Sequence, residues 1–563
     1  MSGQVEKQVS GGEAILRALK ANGIDRLFIN PGSDFAPIIE AFAAVGSDEI
    51  PEAVPVAHEH AAVTMAHGYY LATGQMQAVA VHVNVGLANA SMGLLNAHSD
   101  DVPIFMLSGR NPLTEGNRLG SRRTPIQYGQ EMFDQSALVR EAVKWDYELR
   151  YAEQAASLVD RGCAVARMEP VGAVYLSLPR EPLCEVTSWQ STQSQNAPTG
   201  MFPDPVAIQN AASQLANAKN PLIICSRGDT AGDVGRLVQQ IAEENAIAIS
   251  EVFVTRNVVA SDCPNSIGGN IAAHLPHADV VLVVDAPVAW IETKAKPAPD
   301  AHLIHLGPDP LFTRIPVRGY RNTMAIQSNT VEALKALREA LPGSIDEQRD
   351  QAIKAKHQAF RGKIQSKAEA NSTGLSTKAW VAKCVSAILG DGVVFGERGG
   401  PCWSYDVKGP NQWFGNTQAG GLGWALPAAL GFQMADRERL VVCVTGDGSY
   451  MFANPMACHQ VAAAQQLPVL TVVMNNGAWD AVRTSTLDVY PNGAAARANY
   501  VPTVPFMPTP EYGKIAEASG CYVETIEQAE DLPAALQRSV HVIKTEKRQV
   551  LLDVKIGLDD GEK

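Results

Sequence analysis

The sequence predicts an α/β protein with three doubly wound domains whose sheets are mainly parallel. Short, unbroken apolar runs such as AVAVHV, DVVLVV and LVVCVTGDG recur along the 563 residues, and such runs are typical of buried parallel strands. They alternate with segments of helical periodicity, which favours βαβ units. A polar stretch at 186–200 predicts a linker, and a second polar, charged stretch covers about 344–376. We therefore predict domains over 1–185, 186–345 and 376–563.

The elements follow in order along each domain. In the first, a helix over 13–22 is followed by Gly23, a residue type favoured at helix C-termini, and then by the strand IDRLFI. The runs AVAVHV, IFMLSG and GAVYLSLP predict its further strands. The second domain contains PLIICS, DVVLVV and HLIHLG, with a helix near 233–245. The third contains GVVFGE, LVVCVTGDG, PVLTVVMNN and QVLLDV.

Composition excludes several classes of function. The chain is 46% hydrophobic and 19% charged, which is ordinary for a folded protein, and its formal net charge of -13 argues against a nucleic-acid partner. No apolar run reaches the ~18 residues of a membrane span, and the N-terminal segment lacks a signal-like apolar core. The nine cysteines include no C-x-x-C pair, so we expect reduced thiols and a cytoplasmic location.

The strongest motif is a GDG turn followed by a second strand that ends in two asparagines. The run VVCVT ends at the turn, Asn454 and Pro455 form a favourable N-cap and N1 pair for a helix, and Pro468 ends that helix. A right-handed β-α-β unit would bring Asp447 and Asn476 to the same edge of a sheet, where open α/β sheets bind ligands. Taken alone, GDG is equally a common structural turn.

Oxygen atoms at this edge suit a magnesium ion. The Asp447 carboxylate, the Asn476 amide oxygen and the backbone carbonyl of Ala478 form a partial oxygen shell, which phosphate oxygens and water complete around Mg²⁺. Gly446 and Gly448 let backbone N–H groups approach a diphosphate closely. We predict a Mg²⁺ and diphosphate site here.

This segment resembles the cofactor-binding motif of thiamine diphosphate enzymes, and the resemblance extends over almost the whole chain. The family it resembles is the acetolactate synthase-like one, and within it chiefly the benzoylformate decarboxylases. The motifs that carry the resemblance are FINPGSDFAP (28–37), HEHAAVTMAHGYYLATG (58–74), HVNVGLANASMG (82–93), QAGGLGWALPAALG (418–431) and GDGSYMF with MNNG (446–477). They are specific for the cofactor and much less so for the substrate.

The resemblance implies roles for individual residues. Glu59 matches the glutamate that hydrogen-bonds N1' of the aminopyrimidine and moves a proton on that ring. Leu422 matches the bulky residue that keeps the cofactor bent, and Gly420 would offer it a carbonyl. The implied domain roles are pyrimidine binding for the first, a Rossmann-like middle domain, and diphosphate and Mg²⁺ binding for the third. The implied cofactor-binding residues are Gly399, Gly400, Gly420, Leu422, Gly446, Asp447, Gly448, Ser449, Asn476 and Ala478.

Two further residues match the substrate side of the benzoylformate decarboxylase site. Ser33 matches the serine that holds the substrate carboxylate, and His82 matches a histidine that transfers protons. A hydroxyl on a tight turn suits a carboxylate, and an imidazole titrates near neutrality. The alternative is that both residues are structural, with the Ser33 hydroxyl stabilising a local turn and His82 packing in the core.

The sequence departs from the benzoylformate decarboxylases around the expected substrate pocket. By count, Glu292 stands where their second active-site histidine would be, and a carboxylate there would repel a carboxylate substrate unless it is protonated or paired. Ser485 or its neighbours replace a bulky aromatic, while Trp479 and Asp480 are added nearby. We therefore expect a substrate that is more polar than a bare phenyl 2-oxo acid, or differently shaped. Trp479 and Trp290 are equally plausible packing residues.

Two other features have ordinary explanations. The arginines of GRNPLTEGNRLGSRR (109–123) could bind an anion such as a coenzyme A phosphate, but a solvated or subunit-contact loop is the preferred interpretation. The middle domain lacks a G-x-G-x-x-G turn, which makes a flavin there less expected.

The leading functional prediction is non-oxidative decarboxylation of a 2-oxo acid to an aldehyde, with thiamine diphosphate and Mg²⁺ as cofactors. The alternative is a carboligase or C–C lyase acting on a carbonyl substrate, a 2-hydroxy ketone or a 2-hydroxyacyl-CoA. A third hypothesis is a non-catalytic scaffold. The presence of Glu59, Asp447 and Asn476 argues against it. The resemblance implies a homodimer at minimum and commonly a homotetramer, with Glu59 of one chain meeting Asp447 of its partner.

Overall fold

The computed structural model describes residues 7–189 and 195–558. Residues 190–194 of the predicted linker lie outside the described residues. Within the described ranges, no helix combines the length and apolar character that crossing a bilayer requires.

The eleven predicted apolar runs all form strands, and the described residues contain eight further strands that the sequence analysis did not predict. In chain order they are β1 (Lys7–Ser10), β2 (Arg26–Asn30), β3 (Glu52–Pro55), β4 (Gln77–Val81), β5 (Ile104–Arg110), β6 (Asp146–Glu148), β7 (Val174–Pro179), β8 (Val186–Trp189), β9 (Pro221–Cys225), β10 (Ala248–Glu251), β11 (Val280–Val284), β12 (His302–Gly307), β13 (Met324–Gln327), β14 (Val393–Glu397), β15 (Trp413–Gly415), β16 (Val441–Gly446), β17 (Leu470–Asn475), β18 (Tyr522–Ile526) and β19 (Val550–Lys555).

Helices alternate with these strands. In chain order they are α1 (Gly11–Ala21), α2 (Ala36–Ala44), α3 (Glu59–Thr73), α4 (Val83–Ser99), α5 (Ile126–Gly129), α6 (Ala155–Arg167), α7 (Arg180–Cys184), α8 (Pro205–Asn217), α9 (Asp233–Asn245), α10 (Thr330–Ala340), α11 (Glu347–Glu369), α12 (Lys378–Leu389), α13 (Ala425–Ala435), α14 (Asp447–Phe452), α15 (Pro455–Ala464), α16 (Asp480–Val489), α17 (Ala494–Ala498), α18 (Tyr512–Glu517) and α19 (Leu532–Glu546).

The chain divides into two compact units. The first comprises Met1–Gly200 and Thr417–Asp436, and the second comprises Met201–Asn416 and Arg437–Lys563. The first unit has a six-stranded sheet of order β3-β2-β4-β5-β7-β6. The second has a five-stranded sheet, β10-β9-β11-β12-β13, and a six-stranded sheet, β15-β14-β16-β17-β19-β18.

Neighbouring strands are parallel throughout these three sheets. Their central strands are buried on both faces, as expected where helices cover a parallel sheet. The predicted class, three α/β domains with mainly parallel sheets, is confirmed.

Two polar segments contain regular structure that the sequence analysis did not predict. Residues 186–189, assigned to the linker, form β8, which pairs with β1 in a small antiparallel sheet. The charged stretch after residue 344 forms the long helix α11, in which only Ile353 and Ala368 are buried. A polar composition was therefore a poor sign of irregular structure, because α11 needs only a narrow contact with the rest of its unit.

Helices α3 and α13 pack closely against each other in the first unit. A Cβ atom at Gly68 would lie 1.9 Å from the Ala428 carbonyl oxygen, and one at Gly431 would lie 1.9 Å from the Met65 carbonyl oxygen. Each helix thus brings its backbone against the other at a glycine. Because Glu59 is the first residue of α3, this helix contact also helps to fix the position of the Glu59 side chain.

Candidate active site

The first group of polar residues lies where the connections of the first sheet change direction. The chain passes from β2 outward to β3 and then returns beyond β2 to β4, so a crevice opens between the carboxyl ends of β2 and β4. Asn30 ends β2, Glu59 opens the helix after β3, and His82 follows β4 directly. We call Asn30, Ser33, Asp34, Glu59, His82, Asn89 and Gln130 the Glu59 cluster.

Glu59 is buried and held by two neutral amides. Its Oε1 accepts a hydrogen bond from Asn30 Nδ2 at 2.9 Å, and its Oε2 accepts one from Asn89 Nδ2 at 3.1 Å. Gly86 leaves room beside it, since a Cβ there would lie 3.2 Å from Glu59 Oε1. Each carboxylate oxygen keeps a free lone pair, so Glu59 can still bind or exchange a proton with a ligand.

His82 pairs with the aspartate that follows Ser33. His82 Nδ1 lies 2.6 Å from Asp34 Oδ1, and Asp34 Oδ2 accepts a hydrogen bond from the Val83 backbone at 3.2 Å. The hydrogen bond to Asp34 raises the pKa of His82, and the charges of Asp34 and Glu59 add to the rise, while burial opposes it. Ser33 itself is exposed at the start of a short 3-10 turn.

The GGLG loop before α13 is fastened to the first unit by buried polar side chains. Asn96 Nδ2 donates to the Gly421 carbonyl at 2.9 Å, and its Oδ1 accepts from the Gly421 amide at 3.1 Å and from Thr417 Oγ1 at 3.0 Å. His60 Nε2 lies 3.2 Å from the Gly423 carbonyl oxygen. These contacts fix the backbone on either side of Leu422.

A second group lies at the corresponding position in the second unit. There the chain passes from β14 outward to β15 and returns to β16, so the crevice opens between β14 and β16. The Gly399–Gly400 turn follows β14, and Gly400 has a φ of +94°, which glycine tolerates without strain. Asp447 follows β16. We call Gly399, Gly400, Gly446, Asp447, Gly448, Ser449, Asn476 and Ala478 the Asp447 cluster.

Asp447 is a buried carboxylate that accepts hydrogen bonds from backbone amides. Its Oδ1 accepts from the Gly448 N–H at 2.8 Å and its Oδ2 from the Gly477 N–H at 2.8 Å. Burial raises the pKa of Asp447, and these backbone hydrogen bonds partly offset the rise. Within the described ranges no basic side chain pairs with it, so a cation would be favourable there.

Neighbouring atoms shape the space around Asp447. The Asn476 Oδ1 accepts from the Ala478 amide at 3.0 Å, which fixes the orientation of that side chain. A Cβ at Gly448 would lie 2.2 Å from the Trp479 ring, so the indole occupies the space that glycine leaves. The buried Tyr512 hydroxyl has no hydrogen-bond partner among the described residues. Burial raises the pKa of Tyr512, and the charge of Asp447 adds to the rise.

Comparisons with known proteins decide the family. Residues 9–138 match the N-terminal TPP-binding domain of thiamine pyrophosphate enzymes, 208–337 match their central domain, and 400–554 match their C-terminal TPP-binding domain. Together these ranges cover well over half of the chain. The chain belongs to the thiamine pyrophosphate enzyme family.

Individual relatives of this thiamine pyrophosphate enzyme are distant but match over nearly the full length. An acetolactate synthase large subunit from Haemophilus influenzae is 24% identical and covers 99% of this chain and 96% of its own. A benzoylformate decarboxylase from Pseudomonas aeruginosa is 25% identical, over 95% of this chain and 97% of its own. The crystal structure of benzoylformate decarboxylase from Polynucleobacter necessarius has the same fold, with a TM-score of 0.78, 20% identity and coverage of 98% and 99%.

The residues of this thiamine pyrophosphate enzyme fit its cofactor. Thiamine diphosphate needs a carboxyl group at the aminopyrimidine, and Glu59 is held with lone pairs to spare. The diphosphate and its cation need oxygen ligands and close backbone approach, which the glycines, Asp447 and Asn476 could supply. No group of three or more His, Cys, Asp or Glu side chains arranged to hold a metal occurs in the described ranges, so a Mg²⁺ site would rest on one carboxylate and neutral oxygens.

The predicted site residues fall into two sets. Ser33, Glu59 and His82 lie in the first unit, which also contains Gly420 and Leu422, whereas the Asp447 cluster lies in the second. Their roles remain predictions. His82 stands one residue beyond the strand in which the sequence analysis placed it, because β4 ends at Val81.

Asn454 is placed as predicted but does not act as a side-chain cap. It occupies the N-cap position of α15 with a φ of 53°, and its side chain makes no capping hydrogen bond. Pro455 does stand in the first turn of the helix. The left-handed backbone of Asn454 turns the chain sharply between α14 and α15.

Residues outside the expected motif have ordinary surroundings. Trp290 is buried in the core of the second unit and packs on Tyr320 with ring centroids 4.4 Å apart. Glu292 is half-exposed, accepts from Trp290 Nε1 at 2.9 Å and lies 3.5 Å from Lys296 Nζ.

The arginines of residues 109–123 are largely paired with carboxylates. Arg110 contacts Glu131 and Glu148, Arg122 also contacts Glu131, and Arg118 lies 3.1 Å from Glu185. Their charges are therefore largely offset within the first unit, which favours the loop interpretation over an anion site.

The sequence analysis missed the residues that support the predicted ones. Asp34 follows Ser33 in the same turn, and Asn30 opens that turn, so both were within the NPGSD motif. Asn89 stands three residues after Gly86 on α4, a spacing that places both on one helix face. Asn96 and Gln130 gave no local signal, since their contacts depend on segments far away in sequence.

Proposed function

We propose that this thiamine pyrophosphate enzyme is a Mg²⁺-dependent decarboxylase that converts a 2-oxo acid into an aldehyde and CO₂. The observation that carries the proposal is the Glu59 cluster, in which a buried carboxylate, an exposed serine hydroxyl and a carboxylate-paired histidine follow adjacent strands. The similarity to a benzoylformate decarboxylase supports this choice of reaction.

The cofactor supplies an electron sink for the carbon–carbon bond that breaks when CO₂ leaves. Asp447, Asn476 and the Ala478 carbonyl would hold Mg²⁺, and the backbone of Gly399, Gly400, Gly446, Gly448 and Ser449 would face the diphosphate. Leu422 would keep the cofactor bent, and Gly420 would accept a hydrogen bond from its pyrimidine.

The chain's own residues would handle the substrate and its protons. Glu59 would hold and exchange a proton at the pyrimidine through whichever oxygen faces it. The Ser33 hydroxyl would donate a hydrogen bond to the substrate carboxylate, because it is exposed at the start of its turn. His82 would give a proton to the carbon that has lost CO₂, a task suited to a group that titrates near neutrality.

The second candidate is a carboligase, favoured by the similarity to an acetolactate synthase large subunit over nearly the whole chain. Both reactions need the same cofactor activation and therefore the same Glu59 and Asp447 clusters. They differ in what captures the carbon that loses CO₂: a proton in the decarboxylase, a second carbonyl compound in the carboligase.

Product analysis tests the proposal. The purified enzyme, supplied with thiamine diphosphate and MgCl₂, is given a panel of aliphatic, aromatic and polar 2-oxo acids, each with and without acetaldehyde. We expect CO₂ and the matching aldehyde in equal amounts from at least one acid. A 2-hydroxy ketone or a 2-hydroxy-3-oxo acid as the main product would identify the carboligase instead, and an absence of CO₂ release would refute the decarboxylase.

We also propose a cytoplasmic homo-oligomer, a dimer at minimum and a tetramer as the working form. The nine cysteines are free, and most are buried, which is consistent with a reducing compartment. Light scattering on the purified protein gives the mass, and a monomer at micromolar concentration would contradict the oligomer.

A further inference from the structure

Asp34 was not among the residues that the family motif singled out, yet it makes the shortest polar contact of the Glu59 cluster. Its Oδ1 lies 2.6 Å from His82 Nδ1, a distance typical of a charge-assisted hydrogen bond. Its Oδ2 accepts from the Val83 amide at 3.2 Å, so both oxygens are anchored. Asp34 is 4% exposed and therefore cannot find an alternative partner in water.

Two glycines make the space for this pair. A Cβ at Gly109, in β5, would lie 1.5 Å from Asp34 Oδ2, and a Cβ at Gly32 would lie 2.0 Å from His82 Nδ1. No side chain at either position is compatible with the pair as it stands. The backbone of two separate segments is thus fitted around the Asp34–His82 contact.

The other ring nitrogen of His82, Nε2, lies beside Gln130, whose amide can hydrogen-bond to the ring in either of its charge states. His82 Nε2 lies 3.2 Å from the Gln130 amide nitrogen. The amide NH₂ donates to a neutral ring, and after a half-turn its carbonyl accepts from a protonated one. Nε2 therefore remains the nitrogen at which the proton comes and goes, while Nδ1–H stays on Asp34.

Among the described residues, the charges that shift the pKa of His82 are both negative. They are Asp34 from the Ser33–Phe35 turn and Glu59 from the start of α3, and both raise the pKa of His82. Gln130 is neutral, and the neighbouring Glu131 is engaged by Arg110 and Arg122. The protonated form of His82 is consequently more favoured than that of a free imidazole.

We propose that Asp34 is a positioning residue for His82: it fixes Nδ1–H and leaves Nε2–H as the proton donor in the reaction proposed above, on which this inference rests. The Nε2–H bond breaks as a C–H bond forms at the carbon that has lost CO₂. The ring becomes neutral, and solvent water returns a proton to Nε2 before the next turnover.

Histidine NMR tests the positioning without any need for activity. The whole protein, labelled with ¹³C and ¹⁵N at histidine, is titrated as wild type and as Asp34→Asn, with the His82 signal assigned by its loss in His82→Gln. Asparagine keeps the shape and the acceptor for Val83 but removes the charge, so we expect the His82 pKa to fall by about one pH unit or more. We also expect wild-type His82, when neutral, to carry its proton on Nδ1.

An unchanged His82 pKa in Asp34→Asn, or a neutral wild-type ring protonated at Nε2, would overturn the proposal. The second of these needs no variant, so the test survives a variant that fails to fold. Glu40→Gln, which removes an exposed carboxylate in α2, is the matched control and should leave the His82 pKa unchanged.

The pH profile of the enzyme adds the catalytic part of the test. With a substrate from the panel above, kcat/KM should fall on the alkaline side as His82 loses its proton, and Asp34→Asn should move that fall to lower pH. If the NMR result holds but no 2-oxo acid is decarboxylated, the pair stands and the proposed function fails. If decarboxylation is found but its alkaline limb stays in place in Asp34→Asn, the role of Asp34 fails alone.

Discussion

At the scale of single residues, two buried carboxylates are stabilised by neutral donors. Glu59 receives two side-chain amides and Asp447 receives backbone amides, and neither forms an ion pair with a basic side chain within the described ranges. A paired lysine or arginine would compete with a ligand for the same charge. Neutral donors orient each carboxylate and leave its charge available for the roles proposed above, at a ring nitrogen for Glu59 and at a cation for Asp447.

Replacing Glu59 with glutamine should separate binding from activation. The amide keeps the size of the side chain but cannot exchange a proton, so we expect kcat to fall by about 10²–10⁴-fold. Calorimetry should show thiamine diphosphate and Mg²⁺ binding within a few-fold of wild type, since the Asp447 cluster is untouched. Glu40→Gln serves as the control, and full activity in Glu59→Gln would remove Glu59 from its proposed role.

His60 predicts an acid-sensitive contact next to Glu59. Burial lowers the pKa of His60 to about 4, although its hydrogen bond to Gly423 opposes the shift. In the unfolded chain the His60 imidazole becomes protonated below pH 6.5, whereas in the folded chain it stays neutral down to about pH 4. The free energy of unfolding therefore falls as the pH drops from 6.5 towards 4. The loss at the acid end is roughly 3 kcal/mol in the free energy of unfolding.

His60→Gln should therefore flatten the acid side of the stability profile. Thermal midpoints measured between pH 7 and pH 4 should fall less steeply in this variant than in wild type. His302→Gln, at an exposed histidine of β12, should leave the slope unchanged. Parallel slopes for wild type and His60→Gln would show that His60 is not the group that titrates.

At the scale of secondary-structure elements, strand order explains where the polar residues gather. In both six-stranded sheets the second strand pairs outside the first and the third pairs inside it, which opens a crevice between the first and third strands. His82 and Asp447 each follow the third strand of their sheet, and Asn30 and Gly399 lie at or just after the end of the first. Strand order therefore explains why the turns that carry the local motifs lie beside a crevice in each sheet.

The contact between α3 and α13 should be intolerant of even one methyl group. In Gly431→Ala the added carbon would meet the Met65 carbonyl oxygen, so the helices must separate, at a cost of about 1–3 kcal/mol or more. We expect a clear fall in the thermal midpoint. Gly362→Ala is the matched control: it lies in α11 with no atom near its added Cβ and should be neutral or stabilising by about 0.4–1 kcal/mol. Equal midpoints for the two variants would contradict this packing argument.

At the scale of the whole molecule, one chain carries two clusters in two compact units, and the family resemblance predicts that a site is completed by the partner chain. The Glu59 cluster belongs to the first unit and the Asp447 cluster to the second. In the proposed function each cluster would supply what the other lacks: the Glu59 cluster a proton-exchanging carboxyl group, and the Asp447 cluster a site for the cation and the diphosphate. Complementation between chains is the direct measure of a shared site.

Heterodimers of Glu59→Gln and Asp447→Asn should regain activity. If each site takes Glu59 from one chain and Asp447 from the other, one of the two sites in a mixed dimer carries both substitutions and the other carries neither. Co-expression with two different tags and tandem purification should then yield about half of wild-type activity per dimer. Both homodimers should be nearly inactive, and an inactive heterodimer would place each site within one chain.

The sequence by itself determined the class of fold, the positions of the inner strands of the three sheets and the cofactor family, because apolar runs and the GDG and NPGS turns are local features of the chain. It also identified Glu59, His82 and Asp447 as candidates. Only the tertiary structure revealed the Asp34–His82 pair, the side-chain amides that hydrogen-bond to Glu59, and the hydrogen bonds from Asn96 to the GGLG loop. Each of these joins segments far apart in sequence. Polar composition misled for β8 and α11, because hydrogen bonding and a narrow buried stripe suffice to order a segment that carries few apolar residues.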